Sequence, residues 1–250
     1  MIRLIKPTLV IFFCIAFVPP ASALRSDLCD WALSINGDFY PSPGYDSPPG
    51  AGDLPDNADV GNFDWSGGLG RITITLNPGA AGNYFVGAYF DHEINSESNT
   101  YYNEAGWAVG TPAAGQSWEI DEPGFGAASA HYFGDIFANV QLTQGLDNLC
   151  YYDSLGDHFL SDYEDPLSDD VSWAIAWNFA LEDIESAIIS FYLSENIPSC
   201  EFYLEQMDTC GSIFFASTLD IKSSNAPEPG TLILLGVGLL CILSLNRKMS

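Results

Sequence analysis

The chain reads as an all-β protein, an antiparallel β-sandwich ectodomain with long Gly/Pro/Asp-rich loops, held between an N-terminal signal helix and a C-terminal transmembrane sorting helix. Three observations carry that reading. From Val171 to Leu181 large and small residues alternate without a break. Val171, Trp173, Ile175, Trp177, Phe179 and Leu181 fall on one side, with Ser172, Ala174, Ala176, Asn178 and Ala180 on the other. A period of two belongs to a strand and cannot form a helix face. Further apolar or alternating runs are joined by short polar turns, and no long amphipathic helix interrupts them.

Taken in order, residues 37–70 are dense in Gly, Pro and Asp, which is turn and loop chemistry. Arg71 to Leu76 alternates, with Ile72, Ile74 and Leu76 on one face, and Asn77-Pro78-Gly79 turns the chain. Tyr84 to Phe90 is continuously apolar and reads as a buried strand. A second Gly/Asn/Glu-rich stretch runs from Asn95 to about Gly134, with a short strand expected at Ser117–Ile120. After the Val171–Leu181 strand, Leu181 to Glu185 turns the chain into a strand over Ser186–Leu193. Phe202-Tyr203-Leu204 and Ile213–Leu219 supply two more.

Both ends of the chain are signals. Arg3 and Lys6 precede an apolar run from Leu9 to Val18, Pro19 and Pro20 break it, and Ala21-Ser22-Ala23 is a small-residue cleavage site. That order is a secretory signal peptide, cleaved after Ala23 and covering residues 1–23. An apolar run this short does not span a bilayer comfortably. At the other end, residues 223–226 form a small polar linker. Pro227-Glu228-Pro229 follows, then a continuous apolar stretch from Leu232 to Leu245, then Arg247 and Lys248. An apolar helix with cations behind it stops in the membrane with the cations held in the cytoplasm. Residues 24–222 are left as one ectodomain, long enough for a real core.

The tail resembles the PEP-CTERM sorting signal of Gram-negative bacteria, in which a Pro-Glu-Pro, an apolar helix and a basic end follow one another. The resemblance covers about the last 25 residues, Ala226 to Ser250. It implies an exosortase, a membrane-embedded cysteine protease or transpeptidase, as processing partner. It also implies anchoring of the precursor in the inner membrane through residues 232–245, release at the cell surface, and an association with exopolysaccharide or biofilm. The basic end holds two cations, Arg247 and Lys248. The Val171–Leu219 segment is similar to the C-terminal half of many PEP-CTERM ectodomains of unknown function, a resemblance that names no activity.

Charge narrows the functional classes. The chain has 33 acids and 7 bases, a formal net charge of −26. All the acids except Glu228 lie in the ectodomain, where only Arg25, Arg71 and Lys222 oppose them. Such a surface repels phosphate backbones, so no nucleic-acid partner is expected, and it attracts divalent cations. The many aromatic and β-branched residues distinguish it from an acidic disordered chain.

Four cysteines remain in the mature ectodomain: Cys29, Cys150, Cys200 and Cys210. Export to an oxidising compartment favours disulfides. Four cysteines allow three pairings, and the favoured one staples Cys200 to Cys210 across a hairpin and joins Cys29 to Cys150.

Candidate sites are acidic or aromatic. Asp53, Asp56, Asn57, Asp59 and Asp64 lie within one Gly/Pro-rich stretch. Calcium takes six to eight oxygens in irregular geometry, so that loop is the candidate metal site, although it lacks an EF-hand pattern. The competing reading is a solvated acidic loop, and the expectation is no cofactor other than calcium. Asp91-His92-Glu93 closes a strand, with Glu97 and Glu104 downstream. Neighbours on an extended chain point to opposite faces, which argues against an acid–base dyad there. Asp162, Glu164, Asp165, Asp169 and Asp170 precede the long strand as a second acidic group. Tyr101, Tyr102, Trp107, Trp118, Tyr151 and Tyr152 would suit sugar stacking, or would fill a core. No nucleophile, zinc or nucleotide motif occurs, and no catalytic residue is assigned. The expectation is a structural or adhesive surface protein, not an enzyme; the alternatives are a carbohydrate- or calcium-binding module and, last, a secreted hydrolase.

Overall fold

The computed structural model describes residues 24–43, 50, 54–77, 80–95, 104–121, 136–143, 145–150 and 170–223. Twelve strands and one helix are formed among them. In chain order the elements are β1 (Ser26–Ile35), β2 (Asp38–Pro41), β3 (Ala58–Asp64), β4 (Leu69–Leu76), β5 (Gly82–Ile94), β6 (Ala105–Gly110) and β7 (Gln116–Asp121). Then come α1 (Ile136–Leu142), β8 (Leu149–Cys150), β9 (Ser172–Leu181), β10 (Glu185–Ser194), β11 (Phe202–Met207) and β12 (Ser212–Ser223).

Two six-stranded sheets result. The first has the order β2-β1-β5-β9-β7-β8, the second β3-β4-β10-β12-β11-β6. Every pairing is antiparallel except β7 with β8. The all-β antiparallel class read from the sequence is therefore the observed one. The signal and sorting helices fall on residues 1–23 and 227–250, outside the described residues. Among the described residues no helix is long and apolar enough to cross a membrane.

The core lies between the sheets. Trp31, Leu33, Val86, Phe90, Trp173, Ile175 and Trp177 enter it from the first sheet. Ile72, Ile74, Ile189, Phe191, Leu204 and Phe215 enter from the second. Phe215 meets Phe90 edge-on at 5.3 Å and Trp173 at 5.8 Å. Each fully buried Phe or Ile contributes about 1.5–3 kcal/mol relative to exposure. Ser217 of β12 takes hydrogen bonds from Trp177 Nε1 (2.9 Å) and Gln116 Nε2 (3.1 Å), a polar link between the two sheets.

The period-two reading of β9 accounts for a second layer. Its small residues Ala174 and Ala176 face away from the core, where they pack with Ala32, Phe85 and Tyr89 beneath Ile136 and Val140 of α1. Methyl-sized side chains leave room for a helix to lie on the sheet. Glu119 of β7 anchors that helix, accepting two hydrogen bonds from Asn139 Nδ2 at 3.1 Å.

Several elements depart from the expected pattern, α1 and β8 among them, neither of which was expected. β1 and β6 were not expected as strands, and β2 and β3 fall inside the stretch read as loop. β5 also runs four residues past Phe90, to Ile94. In β1 the cause is a bulge: the register with β5 steps from Leu28↔His92 to Asp30↔Asp91, leaving Cys29 unpaired. The extra residue breaks the alternation that would reveal the strand.

The expected Cys200–Cys210 bridge is not formed, and the Cys29–Cys150 pairing falls on the Cys150 side chain, which lies outside the described residues. Cys29, Cys200 and Cys210 are free thiols. Cys200 precedes β11 and Cys210 follows it, so the whole strand separates them. Six strand residues span roughly 20 Å, whereas a disulfide needs Cα atoms within about 7 Å. The residues between them form one arm of a hairpin, not the hairpin itself.

Candidate functional site

β5 carries its polarity at its C-terminal end. Alternation sends Phe90, His92 and Ile94 into the core. Tyr89, Asp91 and Glu93 take the opposite, outer face of the first sheet. On β1 the Cys29 bulge resets the alternation, so that Asp30, like Ala32, shares that outer face. Without the extra residue the thiol would stand opposite Asp91.

The register then draws a row across four neighbouring strands. Asp30 of β1 pairs with Asp91 of β5, Asp91 with Ser172 of β9, and Ser172 with Asp121 of β7. All four are buried, with Asp91 1% exposed and Asp30 6%. Directly opposed residues on adjacent strands hold their Cβ atoms about 4.5–5.5 Å apart, so Asp30 and Asp91 stand side by side.

Their hydrogen bonding differs. Asp30 Oδ1 accepts from its neighbour's backbone, Trp31 N, at 2.8 Å, and from the Ser42 hydroxyl. Ser172 Oγ donates to Asp121 O at 2.9 Å. Asp91 has neither oxygen hydrogen-bonded, and both are fully enclosed. Burial pushes the Asp91 carboxyl well above the ordinary carboxylate range, and the charges of Asp170, Glu93, Glu104 and Asp30 push it further. Burial also raises Asp30, against the opposing pull of its two donors. Glu93 is raised to about 7 by burial and by Asp27. Cys29 is held in its thiol form by burial and by the same carboxylates, Asp91 first.

His92 belongs to a different environment. Trp173 Nε1–H donates to its Nδ1 at 3.3 Å, which assigns the proton to Nε2, and Nε2 reaches Gly68 O at 3.1 Å. Burial lowers it to about 4. It is a neutral core histidine, on the face opposite Asp91, and the two form no dyad. Glu104 is likewise structural: Oε1 accepts from Ile94 N at 3.0 Å and Oε2 from Gln206 Nε2. Burial, and next Glu93, raise it well above its ordinary range.

The acidic stretch read as a calcium loop is not gathered into a site. Asp59 and Asp64 lie on β3, separated by most of its length, and Asp56 and Asn57 form the turn before it. Asn57, Asp59 and Asp64 are locally occupied. Asn57 Nδ2 donates to Thr75 O at 3.2 Å, Asp59 Oδ1 accepts from Gly61 N at 3.0 Å, and Asp64 Oδ1 from Ser66 N at 3.0 Å. An extended strand disperses side chains that a loop would have curled around an ion. Asp53 lies outside the described residues.

Of the second acidic group only Asp170 is described, and it is the strongest of the charges acting on Asp91. The tertiary structure thus joins two acidic groups that are about 80 residues apart in the chain. Among the described residues, no group of three or more His, Cys, Asp or Glu side chains is placed to hold a metal ion.

Of the aromatics, Trp118 packs toward the core against Phe202 at 6.1 Å, and Trp107 is 40% exposed on the edge strand β6 of the other sheet. They do not form one sugar-stacking platform. Tyr101, Tyr102, Tyr151, Tyr152, His131, His158, Glu97 and Cys150's side chain lie outside the described residues, as do Ala21, Ala23, Pro227, Glu228, Pro229, Arg247 and Lys248.

Sequence reasoning missed Asp30 and Asp121. The available signal was the broken alternation Leu28-Cys29-Asp30-Trp31, which marks a bulge, a device that re-aims side chains.

The architecture defines an all-β sandwich with a helix on one face and an acidic row beneath its flank. The tail places it further: residues 225–248 match the family model of the PEP-CTERM protein-sorting motif. That motif marks an exported protein with a membrane-anchored sorting tail that an exosortase recognises. No curated protein and no solved structure matches the chain.

Proposed function

We propose that the chain is a structural or adhesive component of an extracellular polysaccharide matrix, delivered to the cell surface by its tail. The observation that carries this is the sorting motif over residues 225–248, which begins two residues beyond the last strand, β12, at Ser223. The sandwich therefore leads directly into the processing signal. Supporting it are the dense acidic charge, which keeps the chain soluble by self-repulsion, and the lack of any catalytic motif in the sequence.

The test is a tagged full-length chain expressed in an exosortase-bearing host, beside a variant with Pro227, Glu228 and Pro229 all changed to Ala. The wild-type chain is expected to lose its tail and leave the inner membrane, while the variant stays there uncut. Equal processing of both would remove the sorting reading. Deleting the gene is expected to loosen cells from their matrix, and an unchanged matrix would remove the structural role.

A further inference from the structure

Asp91 poses a problem that the matrix reading does not address. A carboxylate buried in low dielectric without hydrogen bonds is strongly disfavoured, and it must take either a proton or a cation. Here it is 1% exposed, and neither of its oxygens has a hydrogen-bond partner. The strand register seats Asp30 directly beside it on the same face, through a bulge that serves no pairing of its own. Asp170 and Glu93 add further negative charge nearby. A fold that only needed to fill this space would have used an apolar residue, as it does one step along at Ala32 and Tyr89.

We propose that the outer face of the first sheet holds a divalent cation of the calcium type, bound by the cross-strand pair Asp91 and Asp30. The donors are all hard carboxylate oxygens, which suit calcium and not a soft metal. The imidazole of His92 is on the other face. Calcium also tolerates an irregular shell of six to eight oxygens at about 2.3–2.6 Å and accepts waters for the remainder. Cross-strand carboxylates about 5 Å apart at Cβ close to that distance by side-chain rotation alone. The ion would neutralise charge that otherwise repels across β1 and β5, and so would clamp the two strands together. Extracellular calcium modules work at about 10⁻⁴–10⁻³ M, the regime an exported chain meets. The inference stands independently of the matrix role, since the ion could bind whatever the domain's partner.

The experiment uses the full-length chain in detergent, melted in EDTA and in calcium, magnesium and sodium chlorides of equal ionic strength, with calcium binding measured by calorimetry. Calcium at about a hundredfold excess over Kd is expected to raise the midpoint by about 5–10 °C, well beyond sodium. Asp91→Asn is expected to melt at or above wild type in EDTA, having lost its buried acid, and to show no calcium-specific rise. Asp30→Asn is expected to weaken binding by about tenfold or more, and Asp59→Asn, on the dispersed β3, to leave it unchanged. Calcium acting no better than sodium would mean that Asp91 holds only a proton, and would overturn the proposal. An equal calcium rise in Asp91→Asn would reduce the effect to diffuse surface screening and overturn it as well. Should Asp91→Asn not fold, Asp30→Asn decides alone: an unchanged Kd sinks the site.

Discussion

Gly68 shows how narrowly single residues are specified here. Its φ is +67°, a left-handed value that side chains rarely adopt, and a Cβ would lie 2.2 Å from His92 Nε2 and 3.1 Å from Leu28 Cβ. Its carbonyl is also the partner that keeps the buried imidazole satisfied. Gly68→Ala is therefore expected to destabilise by roughly 2–4 kcal/mol, combining left-handed strain with a displaced ring. A urea melt followed by tryptophan fluorescence reads it, and a loss below about 1 kcal/mol would show that the ring moves aside freely. Cys29 is a second residue-scale case. Burial and its acidic neighbours hold it as a thiol, so thiol reagents at neutral pH should modify exposed Cys210 far faster.

At the scale of elements, α1 and β9 depend on one another. A seven-residue helix has little stability of its own; it persists because Ala174 and Ala176 give it a flat surface, with Glu119 holding Asn139. Ala176→Leu should overpack that interface and lower stability by about 1–3 kcal/mol, without disturbing the main core on the other face. Thermal melts read the first part. Unchanged near-ultraviolet tryptophan dichroism from Trp173 and Trp177 reads the second. β11 carries a related expectation. Because it separates Cys200 from Cys210 along its whole length, peptide mapping of the exported protein without reductant should find no bridge between those two cysteines. Finding one would require a different hairpin register.

For the whole molecule, the buried acids set a pH dependence whose sign is unusual for carboxylates. Glu93 is raised from an ordinary 4.5 to about 7, and Asp91 and Glu104 are raised as well. The folded state therefore keeps protons that the unfolded chain has released. Their contribution is present below the unfolded carboxyl range and is lost as pH rises through the folded values. His92 runs the other way. With a folded value of about 4 against an ordinary 6.5, its contribution is present above 6.5 and lost as pH falls toward 4. The window from about pH 6.5 to about pH 8.5 isolates the carboxyls. In EDTA the melting midpoint should fall across it, and Asp91→Asn with Glu93→Gln should flatten the fall. A midpoint that rises across the window in wild type would contradict the buried-acid assignment.

The sequence alone determined the sorting motif at the C-terminal end, the β class, and the strands β4, β7, β9, β10 and β12, because a short motif, a period of two and a run of apolar residues are local properties. It also determined which face of β9 is large and which is small. It did not show β1, because one bulged residue breaks the very alternation that identifies a strand, nor β3, whose Gly and Asp content imitates a loop. The acidic row was decided only by tertiary structure. Asp30, Asp91, Asp121 and Asp170 are scattered over about 140 residues and meet because β1, β5, β9 and β7 are neighbours in a sheet whose order is not the order of the chain. Burial, which turns an ordinary aspartate into an unpartnered charge, is likewise a property of everything packed around it and is written in no single stretch of sequence.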